Sequence, residues 1–79
     1  MRVRFYAAGR EIAGVPEVEL DARSLMELRA ALLERFDDRM ARLLAIATLL
    51  HDGARHRIDD DITFGPDATI DVLPPFAGG

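Results

Sequence analysis

The sequence predicts an α+β fold: a mixed sheet of four to five strands covered on one face by one main helix. Three observations carry that reading. Stretches near both ends of the chain alternate apolar and polar residues, the mark of half-buried strands. A single run between them sets its leucines at helical spacing. No second helix of that kind is read from the pattern, so one helix must cover one face of the sheet.

The elements follow in order. Arg2 to Ala8 alternates, with Val3, Phe5 and Ala7 to one side and Arg2, Arg4 and Tyr6 to the other. Gly9 to Pro16 holds two glycines and a proline and reads as a turn. Glu17 to Asp21 alternates again with Val18 and Leu20 inward, which makes an antiparallel hairpin with the first strand. Ser24-Leu25-Met26-Glu27 is a capping box, so a helix starts there. Leu25, Leu28, Leu32 and Phe36 continue it, widened by Met26 and Leu33, and it yields near Phe36-Asp37-Asp38. The leucine stripe reads as core packing against the sheet rather than as a groove for a partner helix.

Arg39 to Leu44 reads as a short turn and Ile46 to His51 as a third strand. Asp52-Gly53 is a type I′ hairpin pair, so Ala54 to Arg57 returns as a short strand. Ile58, Ile62 and Phe64 are apolar anchors in an irregular stretch, and Gly65-Pro66-Asp67 is a turn. Thr69 to Leu73 is the last strand, with Ile70 and Val72 inward and Asp71 and Leu73 outward. The order β-β-α-β-(β)-β is that of the ubiquitin-like β-grasp. In that arrangement the first and last strands are parallel neighbours, and Tyr6 and Leu73 lie together on the open side of the sheet. They form an apolar docking surface or two isolated surface residues.

Composition bounds the rest. Seventy-nine residues make one domain, 1–79, with one modest core. Apolar residues make up 49% and charged residues 30%, as in globular domains. The net charge of −4, with no basic stripe, speaks against nucleic acid. No apolar run reaches the length of a membrane span, and Met1-Arg2-Val3-Arg4 lacks a signal-peptide core, so the expectation is a cytoplasmic protein that does not enter membranes. Cysteine is absent, which excludes a disulfide, a thiolate metal site and a side-chain persulfide. Lysine is absent too: all ten basic residues are arginines.

The chain ends Pro74-Pro75-Phe76-Ala77-Gly78-Gly79. Two prolines favour an extended exit from the last strand. Two residues without side chains can pass through a channel too narrow for any other pair. The expectation is a projecting tail, 74–79, that offers its carboxylate as the reactive group. A frayed end is the plain alternative.

Two stretches now resemble a known family, the ubiquitin-like sulfur carriers of the MoaD/ThiS type, and its MoaD branch most. The first is Phe5-Tyr6-Ala7-Ala8-Gly9-Arg10-Glu11-Ile12-Ala13-Gly14, similar to the family's strand, Arg-Glu and Gly turn. The second and more specific is Val72-Leu73-Pro74-Pro75-Phe76-Ala77-Gly78-Gly79, similar to its Pro-Pro-apolar-small-Gly-Gly ending. The family usually has Gly-Asp-Glu before the last strand, where this chain has Gly65-Pro66-Asp67-Ala68.

The resemblance implies a carrier rather than an enzyme in its own right. An activating partner enzyme adenylates the terminal carboxylate with ATP, which the carrier itself does not bind, and a sulfur donor displaces AMP to leave a thiocarboxylate. By the same resemblance Gly79 bears the sulfur and Gly78 lets the tail enter the partner's channel. Phe76 and Ala77 line the mouth of that channel. Tyr6, Leu73 and Pro75 make apolar contact with partner bodies. Arg10 pairs with an acidic group on a partner, or stays solvated or pairs with Glu11. The MoaD branch further implies a large molybdopterin synthase subunit as partner, with two carriers flanking a dimer of it. Three other roles stay open: a sulfur carrier for cysteine or thiamine-thiazole synthesis, a protein modifier joined through Gly79 to lysines of targets, and a plain binding module.

His51, His56, Asp52 and Asp59-Asp60-Asp61 read as solvated groups rather than a metal site, and no metal is expected. Ser24 is better used as a helix cap than as a nucleophile.

Overall fold

The computed structural model describes residues 1–75. Five strands form one mixed sheet in the order β2-β1-β5-β3-β4. They are β1 (Arg2–Phe5), β2 (Glu17–Glu19), β3 (Thr48–His51), β4 (Ala54–His56) and β5 (Thr69–Leu73). Among the described residues three helices accompany them: α1 (Ala8–Ala13), α2 (Leu25–Arg35) and α3 (Asp38–Ile46). The β-grasp arrangement read from the sequence is the one observed. β1 and β2 pair antiparallel, and β1 and β5 pair parallel, with Phe5 opposite Val72.

The alternation of the strands decides which face is buried. Val3, Phe5, Leu49, Ile70 and Val72 are withdrawn from solvent on one face and meet Leu25, Leu28 and Leu32 of α2. Each such side chain contributes roughly 1.5–3 kcal/mol by leaving water. The leucine stripe is therefore core, as expected. Its first turn is capped as the sequence indicates: the Ser24 hydroxyl accepts from the Glu27 N–H at 3.0 Å. Glu27 reaches back one residue further than the usual box, accepting from the Arg23 N–H at 2.8 Å. Phe36 ends α2 and sets its ring edge-on to Phe5, with centroids 6.0 Å apart. Ile58, Ile62 and Phe64 pack on the margin of the core, as anchors of an otherwise irregular segment.

Two segments read as turns are helices. The span 39–44 belongs to α3, which starts because the Asp37 carboxylate accepts from the Arg39 N–H at 3.0 Å. An aspartate here opens a helix rather than closing one. Met40, Leu43, Leu44 and Ala47 then form a helical stripe into the core. Ile46 is the last residue of α3 and is exposed, so the third strand begins at Thr48. The second correction concerns Gly9 to Pro16. The first strand stops at Phe5, and Ala7 turns outward at φ 52° to start α1. Gly9 is buried in that helix because two elements meet there: a Cβ would lie 3.3 Å from Leu43 Cδ2 and 3.8 Å from Phe5 Cβ. Gly14 closes α1 in the left-handed region at φ 76°.

Between β3 and β4, Asp52 (φ 48°) and Gly53 (φ 80°) both take positive φ, the geometry of the expected type I′ turn. The last strand spans Thr69–Leu73 with the expected facing.

Candidate functional site

The face of the sheet turned away from the helices has a polar centre and an apolar end. Strand register builds the centre from one residue per strand: Glu17, Arg4, Asp71, Leu50 and Arg55 form a row across all five strands. Arg4 grips Asp71 with two donors, Nε to Oδ1 at 2.6 Å and Nη2 to Oδ2 at 3.0 Å. The Asp71 side chain is only 16% exposed against 44% for Arg4, so the pair is rooted on the carboxylate side. The hydrogen bond to Asp71, and then the carboxylate's charge, push the Arg4 pKa up from an already high value. Arg4 thus stays charged at every physiological pH. One step toward the strand starts, Arg2 lies between Glu17 and Glu19, at 3.2 and 3.0 Å.

The apolar end comes from the next positions. Because β1 and β5 run parallel with Phe5 opposite Val72, Tyr6 and Leu73 follow side by side. Thr48 lies opposite Leu73 on the other flank. Tyr6, Leu73 and Thr48 are all half-buried. The Tyr6 hydroxyl lies 3.5 Å from Asp71 Oδ1, which ties the ring to the central ion pair. From this end β5 passes into Pro74 and the exposed Pro75. The structure thus brings Tyr6, Leu73 and Pro75 to one end of the sheet.

Arg10 stands apart from that cluster. It is exposed on α1, the helix that leaves the same end of β1, and forms no ion pair among the described residues, with Glu11 or any other. Gly79, Gly78, Ala77 and Phe76 lie outside the described residues. The sequence reading left Arg4, Leu50, Thr48 and Arg55 without a role on this face. Their signal was the outward phase of each strand, which selects partners only once register is known.

The two histidines are more sheltered than their place at a hairpin suggests. Both imidazoles meet the Phe64 ring edge-on, His51 at 4.6 Å and His56 at 6.2 Å between centroids. Among the described residues no three His, Asp or Glu side chains are grouped to hold a metal ion. A depression of about 700 Å³ lies between the start of α2 and residues 58–64. That is the opposite end of the sheet from Pro75, since α2 follows β2 where Glu19 pairs with Arg2. Among the described residues no helix is long and apolar enough to cross a membrane.

No protein-family model and no curated protein sequence matches this chain. Solved structures do. One is a Pyrococcus furiosus protein provisionally assigned as molybdopterin converting factor, subunit 1. It is 21% identical over 95% of each chain, with a TM-score of 0.67. Another is the Haloferax volcanii HVO 2177 protein, solved in solution. It is 22% identical over 99% of this chain and 84% of its own, with a TM-score of 0.65. The chain therefore shares the β-grasp fold of these structures.

Proposed function

We propose that this chain is a ubiquitin-like sulfur carrier whose carboxylate at Gly79 is activated and converted to a thiocarboxylate. One observation carries the reading. The parallel pairing of β1 with β5 sets Tyr6 beside Leu73 where β5 runs out into Pro74-Pro75, and Phe76-Ala77-Gly78-Gly79 follows directly.

The chemistry suits that layout. A carboxylate is a poor electrophile. ATP held by an activating partner supplies the leaving group: a carboxylate oxygen attacks the α-phosphorus, pyrophosphate departs, and an acyl-adenylate forms. A sulfur donor then displaces AMP. The carrier body contributes position. Its Tyr6–Leu73 patch docks on the partner, Pro75 directs the chain outward, and the terminal glycines reach the reacting centre, so an encounter in solution becomes a local, oriented reaction. Neither step requires a side-chain nucleophile from this chain.

The pathway served is molybdopterin synthesis, with the carrier as the small, non-catalytic subunit beside a large one. The structural likeness to a protein assigned as a molybdopterin converting factor subunit favours it over cysteine or thiazole synthesis.

Intact-mass spectrometry after incubation with an activating enzyme, ATP and a sulfur donor tests the reading. The expected product is heavier by the exchange of one oxygen for sulfur, and a chain lacking Gly79 gains nothing. Conversion of the truncated chain, or no conversion of the full chain by enzymes that load other carriers of this type, refutes it.

A further inference from the structure

We infer that Arg55 is a specificity-determining contact of the open sheet face, and that it takes a carboxylate on the protein surface that covers the Tyr6–Leu73 patch. The inference rests on the proposed carrier role, which supplies the partner: the activating enzyme.

Of the charged side chains that the five strands turn to this face, all but one are paired among the described residues. Arg2 shares Glu17 and Glu19, and Arg4 holds Asp71. Arg55, exposed on β4, forms no ion pair among the described residues. Scarcity of acid is not the reason, since the sequence holds fourteen acidic residues against ten arginines. The β3–β4 half of the face has no carboxylate: its outward strand residues are Thr48, Leu50 and Arg55. The face is therefore polarised. One arginine between two glutamates leaves an excess negative charge at the β2 edge. Arg55 leaves a positive one at the β4 edge, and the Arg4–Asp71 pair between them cancels.

A partner seated on the patch reaches Arg55. From Leu73 it lies two strands across and two residues along, about 12 Å at ~4.8 Å per strand and ~3.3 Å per residue. A contact of ordinary size buries ~800 Å² on each side, a disc of ~16 Å radius. Half-buried Leu50, opposite both Asp71 and Arg55, carries apolar surface from the patch to the foot of Arg55. An apolar or cationic surface laid over Arg55 strips water from the guanidinium and returns nothing. A carboxylate returns two parallel hydrogen bonds. At the rim of a contact such a pair acts mainly on orientation and encounter rate. The acidic β2 edge repels the same carboxylate on a partner turned end for end, so one seating is favoured and the reverse is penalised.

The test measures binding and sulfur loading together on the full chain, with an activating enzyme that loads other carriers of this type. At about 0.05 M salt Arg55→Glu should bind about tenfold more weakly than the parent, chiefly through slower association. At about 0.5 M salt the gap should shrink to under about threefold, because the screening length is then only ~4 Å. Arg55→Lys keeps the charge but not the fork, so it should associate at the parent's rate and dissociate faster. Melting temperatures equal to the parent's separate lost recognition from lost folding.

Arg55→Glu that binds as tightly as the parent at low salt overturns the inference, and so does a loss that salt leaves unchanged. In both cases loading of the parent chain leaves the carrier reading standing. A parent chain that is neither bound nor loaded overturns the carrier reading, and this inference falls with it.

Discussion

Truncating Leu32 asks whether the leucine face of α2 is core or a docking groove. Leu32 is fully withdrawn from solvent in the middle of α2, beneath the sheet residues Val3, Phe5, Leu49, Ile70 and Val72. Leu32→Ala removes buried carbon atoms and leaves a cavity, a change that costs about 3 kcal/mol. A chain of 79 residues has a total stability of roughly 4–12 kcal/mol. The loss is therefore a large share of the whole. At ~4–8 °C per kcal/mol for a domain of this size, the thermal midpoint should fall by about 12–24 °C. Met26→Ala is the control on the same helix, since Met26 is 79% exposed and its loss should stay within about 0.5 kcal/mol. Thermal melts followed by far-UV circular dichroism read both. If Leu32→Ala melts within about 2 °C of the parent chain, a shift worth less than ~0.5 kcal/mol, the stripe is not core and the packing argument is wrong.

Two further substitutions probe the start of α2 and the apolar end of the sheet. Ser24→Ala deletes the acceptor of the Glu27 N–H and should cost about 1 kcal/mol, with Ser24→Thr restoring most of it in a urea titration; equal stability of all three chains would show that the cap does not hold this helix. Leu73→Glu places a charge on the half-buried open-face position beside Tyr6 without touching the core. Calorimetric titration with an activating enzyme should show affinity reduced about tenfold or more, at an unchanged melting temperature, and undiminished affinity would remove Leu73 from the interface.

Local sequence sufficed wherever one signal settled the conformation. Strand alternation determined that Val3, Phe5, Ile70 and Val72 face inward and that Arg4, Asp71 and Leu73 face outward, because side chains of a strand point to opposite sides. Ser24 determined where α2 starts, and Asp52-Gly53 where the hairpin turns, because few residues suit a helix cap or consecutive positive φ angles. The ending that carries the proposed chemistry is likewise written in the sequence alone. Tertiary structure decided what local signals left divided. Gly9 looks like a turn residue, yet it lies buried in α1, where a Cβ would press on the Leu43 side chain at 3.3 Å. Asp37-Asp38 looks like a break, yet it opens α3 because Met40, Leu43 and Leu44 have a core to enter. Arg4 and Asp71 are 67 residues apart, and only the parallel register of β1 and β5 makes them partners. The Met1 nitrogen donates to the carbonyls of Leu20 and Pro66, 19 and 65 positions away, so no local pattern announces these bonds. Propensity and periodicity act over a few residues, whereas contacts of this kind exist only after the strands have chosen their neighbours.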